Sequence, residues 1–191
     1  MEENVAAGGS FLSSYCDFAV GHALHGPYHD TEYGFPVENE NRLFERLMLE
    51  VNQAGLNWEL ILRKREGFCK AYDNFDVDTV ADYSEQDRER LLADPAIIRN
   101  RLKVNAAIHN AGVIRSMRDS HGGFDAWLKA HHPRVKEDWV KLFKGTFKFT
   151  GGEITSEFLM SIGYLPCPHR TDCPVYAKIV ALNPPWKEAR E

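Results

Sequence analysis

Apolar residues return every third or fourth position along most of this 191-residue chain and almost nowhere in strict alternation. That period puts side chains on one face of a helix, whereas a half-buried strand needs a period of two. Leu43, Phe44, Leu47, Met48, Val51 and Ala54 set the pattern, with Gly55 placed to stop the helix. Asn57 is positioned to cap a second helix holding Leu60, Ile61 and Leu62. That helix closes in Arg63, Lys64 and Arg65, cations suited to the negative end of a helix dipole. Ser84 and Asp87 form a variant capping box ahead of Leu91 and Leu92, and Asp94–Pro95 interrupts the pattern. Val104, Ile108, Ala111 and Ile114 to Met117 predict a further helix. Phe124, Trp127 and Leu128, then Trp139, Val140 and Phe143, predict two short ones. Phe158, Leu159 and Ile162 predict the last, stopped near Gly163. Thr146 to Thr150 is the only candidate strand. The expected class is all-α: a single domain over residues 11–182, with residues 1–10 and the Pro184-Pro185 tail at 183–191 frayed.

Composition narrows the function classes. Hydrophobic residues make up 43% and charged residues 27%, the balance of a soluble globular chain. No run reaches the ~18 apolar residues of a membrane span, and the acidic start MEEN does not read as a secretory signal. The net charge of −5 means that any polyanion must be held by a local basic patch. Four cysteines (Cys16, Cys69, Cys167 and Cys173) without an export signal suggest a cytoplasmic, thiol-bearing chain, where a metal or core role comes before a disulfide. No long apolar seam is left over, so a monomer is expected.

Two residue groups carry chemistry. Cys16 and His29 are thirteen positions apart, and His169 and Cys173 are four apart. Cys and His are zinc donors, and a closed set of two each is a structural site. One ion shared by these pairs would tie the N-terminal arm to the C-terminal arm, and structural zinc contributes about 10–16 kcal/mol of apparent binding energy in small peptides. Cys167 competes for one ligand place, and His22 and His25 compete with His29. The plainer reading is free thiols and surface histidines. The second group centres on Glu50, about 20° from Leu43 on a helical wheel and so at the edge of the apolar stripe, whereas Glu45 and Arg46 point away as solvated charges should. A carboxylate there either reaches water or is aimed into a pocket. Tyr28, Tyr33 and Trp58 are candidate pocket walls or ordinary core aromatics.

Several of these residues sit in ordered strings. Tyr28-His29-Asp30 is followed by Glu32, Gly34 and Pro36. Glu50, Gln53-Ala54-Gly55-Leu56 and Trp58 lead into Leu62-Arg63-Lys64-Arg65-Glu66. Next come Phe75-Asp76, Ile97-Ile98-Arg99-Asn100-Arg101 with Lys103, Asn110-Ala111, Phe147-Lys148-Phe149 with Gly151, and finally His169 and Cys173. From Cys16 to Cys173 this order resembles the bacterial 3-methyladenine DNA glycosylase I family. The resemblance implies an all-α helix-hairpin-helix fold with zinc on Cys16, His29, His169 and Cys173. It implies a partner, double-stranded DNA with an alkylated base, and a product, free 3-methyladenine. Glu50 would read the base edge, Trp58 would stack on the base, and Tyr28 and Tyr33 would line the pocket. A hairpin at about Pro95 to Leu102 would offer backbone N–H groups to a phosphate, with Arg99, Arg101 and Lys103 as the basic patch.

The chain departs from the family at Phe18 and Tyr33, where Trp is usual, and at Ala96 and Leu102, where Gly is usual. It departs again at Ser156 and Met160, where Tyr and Gln are usual. Such changes are expected to alter which base fits. Two other readings follow: a DNA-binding or lesion-sensing relative without excision, and a zinc hydrolase with an open metal position. Asp119 follows the hairpin at a distance where related glycosylases place a catalytic acid, but its Asp-Ser-His-Gly context does not match theirs.

Overall fold

The computed structural model describes residues 14–166 and 168–188. The expected frayed segment 1–10 and the rival ligand Cys167 lie outside them. The described residues form eleven α-helices and two 3₁₀ turns, with no strand. In chain order they are α1 (Tyr15–Ala19), α2 (His25–Thr31), α3 (Glu40–Gln53), α4 (Trp58–Ala71) and a 3₁₀ turn (Asp73–Phe75). Then come α5 (Val77–Ala81), α6 (Glu85–Ala93), α7 (Arg101–His121), α8 (Phe124–His131), α9 (Lys136–Thr146), α10 (Gly152–Ser161), α11 (Pro174–Ala181) and a second turn (Pro185–Lys187). No described helix is long and apolar enough to cross a membrane.

Local chemistry sets several helix starts. The Asn39 side chain accepts from Arg42 N at 3.0 Å to begin α3, and Asn57 accepts from Leu60 N at 2.8 Å to begin α4. Ser84 and Asp87 form the reciprocal box of α6. The candidate strand at 146–150 is instead the end of α9 and the loop to α10. There Thr150 Oγ1 donates to the carbonyls of Phe143 and Phe147. A five-residue extended run has no neighbour to pair with in an all-helical chain. Helix α11, beyond the expected last helix, starts with Pro174 in its first turn, where the missing N–H costs nothing.

Helix α3 lies at the centre. Every residue from Leu43 to Asn52 is buried, so it is covered all round and not on one stripe. Phe44, Phe68, Phe75, Phe124, Trp139, Phe143 and Phe158 fill the core around it. The expectation for Glu45 and Arg46 is therefore corrected: they are 2% and 4% exposed. A wheel shows which face is apolar but not that the opposite face is also packed. Their charges are matched. Arg46 donates to Glu32 at 2.7 Å, and Arg65 binds Glu32 at 2.7 and 2.8 Å and Glu45 at 2.8 Å. Burial raises the Glu32 carboxyl, but the Arg65 hydrogen bonds and the charges of Arg46, Arg65 and Arg42 outweigh it and hold the group below its ordinary range. Such a network is weak evidence of net stability, but removing one member costs about 3–5 kcal/mol because the partner is left buried and unpaired.

Two close approaches position the loop 94–100 between α6 and α7. A Cβ on Gly67 of α4 would lie 2.7 Å from the Ala96 carbonyl, so only glycine lets the loop backbone this near. Lys64 Nζ donates to the Pro95 carbonyl at 2.7 Å.

The tail expected to be frayed is docked as far as Glu188. Trp186 is 4% exposed and its backbone N–H donates to the Gly163 carbonyl at 3.1 Å. A buried indole overrides the proline-and-charge composition that suggested a loose end. Gly34 N–H donates to the Ser161 carbonyl at 2.9 Å, so both arms meet at the end of α10.

Candidate functional site

The turn between α3 and α4 carries Gly55 at φ +78°. It places Glu50, in the last turn of α3, and Trp58, the first residue of α4, on one cavity of about 270 Å³. The cavity is lined by Tyr15, Tyr28, Tyr33, Glu50, Gln53, Trp58 and Glu157. That is just below the roughly 300–1,000 Å³ of pockets for drug-sized molecules, a size for one small planar ligand. The walls are aromatic: Tyr28 lies 5.0 Å from Trp58 and stacks on Tyr33 at 5.6 Å and 29°, and Tyr15 meets Tyr33 edge-on. The Arg46 guanidinium sits 4.8 Å from the centre of the Tyr28 ring, behind the wall.

Glu50 is 5% exposed. Burial pushes its carboxyl up to about 8, with Glu157 adding to the rise and Arg46 opposing it. Burial also raises Glu157, while the hydrogen bond from the Tyr33 hydroxyl, 3.0 Å long, pulls it down. Burial raises the Tyr15 phenol to about 12 and keeps those of Tyr28 and Tyr33 well above their usual range, so all three stay neutral donors. The site thus offers aromatic faces, hydroxyl donors and two carboxyl groups that interact.

All four pocket residues singled out from the sequence (Glu50, Trp58, Tyr28 and Tyr33) meet at this cavity. Tyr15, Gln53 and Glu157 join them. The signals for these three were present: Tyr15 adjoins Cys16, Gln53 is one helical turn from Glu50, and Glu157 shares a helix face with Ile154 and Met160. Of the departures, only Tyr33 lines the cavity. Phe18 is 51% exposed beside His22 and His25, Ser156 is buried, and Met160 packs on the core. Asp119 is exposed on α7, away from the cavity.

Beside the pocket, Cys16, His29, His169 and Cys173 are all buried, and their donor atoms lie within 4.8 Å of one another. His169 Nδ1 is 3.1 Å from His29 Nε2. The sulfur–nitrogen separations are 3.7 Å for Cys16–His169 and 3.8 Å for Cys173 to each histidine. A tetrahedral ion with the usual zinc–ligand lengths would need about 3.3 Å between nitrogens and about 3.6 Å between sulfur and nitrogen. The donor set fits a metal, and four donors complete a tetrahedron without an open place, against the zinc-hydrolase reading. The outer nitrogens are also held: His29 Nδ1 faces the Asp30 carboxylate at 2.6 Å, and His169 Nε2 faces the Tyr33 carbonyl at 2.7 Å. The rival histidines are used elsewhere. His22 Nδ1 accepts from the Leu24 and His25 N–H groups, and His25 Nδ1 faces the Tyr15 hydroxyl.

The expected basic patch is only partly there. Arg99 and Arg101 are exposed, and Arg101 lies 3.7 Å from Glu85. Lys103 is corrected: it is 4% exposed, and its Nζ donates to the Asn52 and Ala54 carbonyls at 2.8 and 2.7 Å. It closes the C-terminal end of α3, where orphan carbonyls favour a cation. The start of α7 is also partly committed, because the Asn100 side chain accepts from the Leu102 and Lys103 N–H groups.

Comparison with known proteins places the family and the fold. The profile of the methyladenine glycosylase family matches residues 19–141. DNA-3-methyladenine glycosylase 1 of Escherichia coli K12 is 33% identical over 180 residues, covering 84% of this chain and 96% of that protein. A crystal structure of 3-methyladenine DNA glycosylase I superposes with a TM-score of 0.75 at 31% identity, covering 83% of this chain and 97% of that one. A structure of the Staphylococcus aureus protein, solved to explain its 3-methyladenine recognition, gives 0.76 at 28% identity, covering 84% and 95%. The fold is that of a DNA-repair glycosylase. The chain belongs to the methyladenine glycosylase family.

Proposed function

We propose that this chain is a monofunctional DNA glycosylase that extracts 3-methyladenine from alkylated double-stranded DNA and hydrolyses its N-glycosidic bond. The observation that carries this is the meeting of Glu50 and Trp58, from consecutive helices, on one aromatic-walled cavity.

3-Methyladenine is cationic while attached to the sugar, so the bond to C1′ is already weakened. When it breaks, the electron pair goes to the base, which leaves neutral. The sugar becomes oxocarbenium-like, and water adds at C1′ and loses a proton. Little proton transfer to the base is needed. The protein has to hold the extruded base, which costs a few kcal/mol of unstacking, and to favour the transition state over the stacked ground state. Trp58 and Tyr28 present π-faces to the cationic ring. Glu50 accepts from N–H groups on the base. An arriving cation acts on Glu50 opposite in sign to Glu157, restoring the carboxylate that the buried pocket disfavours.

The loop 94–100 with Arg99 and Arg101 serves as a helix-hairpin-helix contact to phosphate. Zinc on Cys16, His29, His169 and Cys173 would supply a structural cross-link between the arms. Incubation with methylated duplex DNA tests the reading: released 3-methyladenine supports it. DNA binding without any released base would favour the lesion-sensing alternative.

A further inference from the structure

Glu157 is the one acidic cavity residue that the sequence pattern of the base site does not account for. It comes from α10, on the opposite side of the chain order from Glu50 and Trp58, and lines the same cavity. Its carboxylate is oriented: the Tyr33 hydroxyl donates to Oε2 at 3.0 Å, and Tyr33 is itself fixed by stacking on Tyr28. Glu157 also lines the neighbouring groove formed with Ala54, Gly55, Leu56, Gly151 and Gly152, as do Glu50 and Gln53, so the two carboxyl groups stand together where the groove and the pocket join. A ligand that occupies the pocket from the groove faces both carboxyl groups.

We propose that Glu157, anchored by Tyr33, is a second carboxylate of the base pocket that selects for positively charged N-alkylpurines. The inference rests on the glycosylase reading and adds a specificity-determining residue to it. Before cleavage the alkylated base carries a positive charge, and after cleavage it does not. A second carboxylate in a low-dielectric pocket favours the charged form far more than the neutral one. It also makes the empty pocket hard to fill with unmodified, uncharged bases. Such bases gain no charge attraction and leave two interacting acids to share their remaining proton. The other charges near the pair are few: Glu153 and Lys136 near Glu157, and Arg46 near Glu50.

Two ligands of nearly equal shape separate charge from fit. 3,9-Dimethyladeninium is a fixed cation that mimics the alkylated nucleoside, and 3-methyladenine is the neutral product at pH 8. Their dissociation constants are measured by calorimetry at pH 8 for the native chain, Glu157→Gln and Tyr33→Phe, with far-UV circular dichroism and melting as folding controls. The native chain is expected to prefer the cation. Glu157→Gln, which keeps the size and an acceptor for Tyr33, should weaken the cation about tenfold and the neutral base by less than about threefold. Tyr33→Phe, which frees the carboxylate without removing it, should give an intermediate loss. Equal losses for both ligands in Glu157→Gln, or no loss for either, would overturn the inference and leave the glycosylase reading standing. If the native chain binds neither ligand, both fail together.

Discussion

At the scale of single residues, Glu50 decides most. Its carboxyl titrates near 8 in the folded chain against an ordinary 4.5, chiefly because it is buried. Between those values the folded protein keeps a proton that the unfolded chain has released. Stability from this group is therefore complete below about pH 4.5 and is lost as pH rises through about 8. Glu50→Gln removes the titration. The variant should gain on the native chain as pH rises from 5 to 9, by on the order of a few kcal/mol at the upper end. Its affinity for 3-methyladenine should be weaker than that of the native chain. Denaturant melts at several pH values read the first effect, and parallel stability curves would show that Glu50 does not titrate in a buried site. Much about this residue was legible in the sequence, because an acid at the edge of an apolar stripe is a local signal. Glu45 and Arg46 show the limit. Their burial depends on Glu32, just past the end of α2, and Arg65 of α4, and no wheel of one helix contains that information.

At the scale of elements, the loop between α6 and α7 and the turn after α3 behave as one unit. Lys103 reaches from α7 to the Asn52 and Ala54 carbonyls, while Lys64 and Gly67 hold the loop on α4. The three cations expected to act alike therefore should not. Arg99→Ala should weaken DNA binding across all sequences and lower the slope of log K against log salt by about one. Lys103→Ala should leave that slope unchanged and instead lower stability by about 1–3 kcal/mol, since the buried Asn52 carbonyl and the part-buried Ala54 carbonyl lose their donor. Salt titrations and melts of the two variants would contradict this if both changed the slope equally. The long helices α3, α4 and α7 were readable because their periodicity runs over several turns. The five-residue helices α1 and α5 were not, because one turn holds too few apolar positions to define a period. Helix α11 had only Val175 and Ile179 as buried apolar positions, with Pro174 as its start signal.

At the scale of the whole molecule, the Cys16, His29, His169 and Cys173 cluster and the pocket are built together. Cys16 follows Tyr15, His29 follows Tyr28, and His169 faces the Tyr33 carbonyl, so three pocket tyrosines hang on three of the donor residues. On the zinc reading, stripping the metal with a chelator should lower the melting temperature and also weaken 3-methyladenine binding, and restoring zinc should recover both. A loss of stability with unchanged base affinity would separate the two features. The sequence spacing showed that the arms could be joined but not which aromatics the join would aim, since Tyr15 and Tyr28 gain their place only through tertiary contact. The central claim is that a purine lies between Glu50 and the Trp58 indole. The chain has four tryptophans, of which Trp127, Trp139 and Trp186 are buried outside the cavity. Nitrogen-15 spectra recorded during titration with 3-methyladenine resolve the indole N–H signals. The Trp58 signal should move with saturation while the other three stay in place. A Trp58 signal that does not move at saturating base would contradict the account.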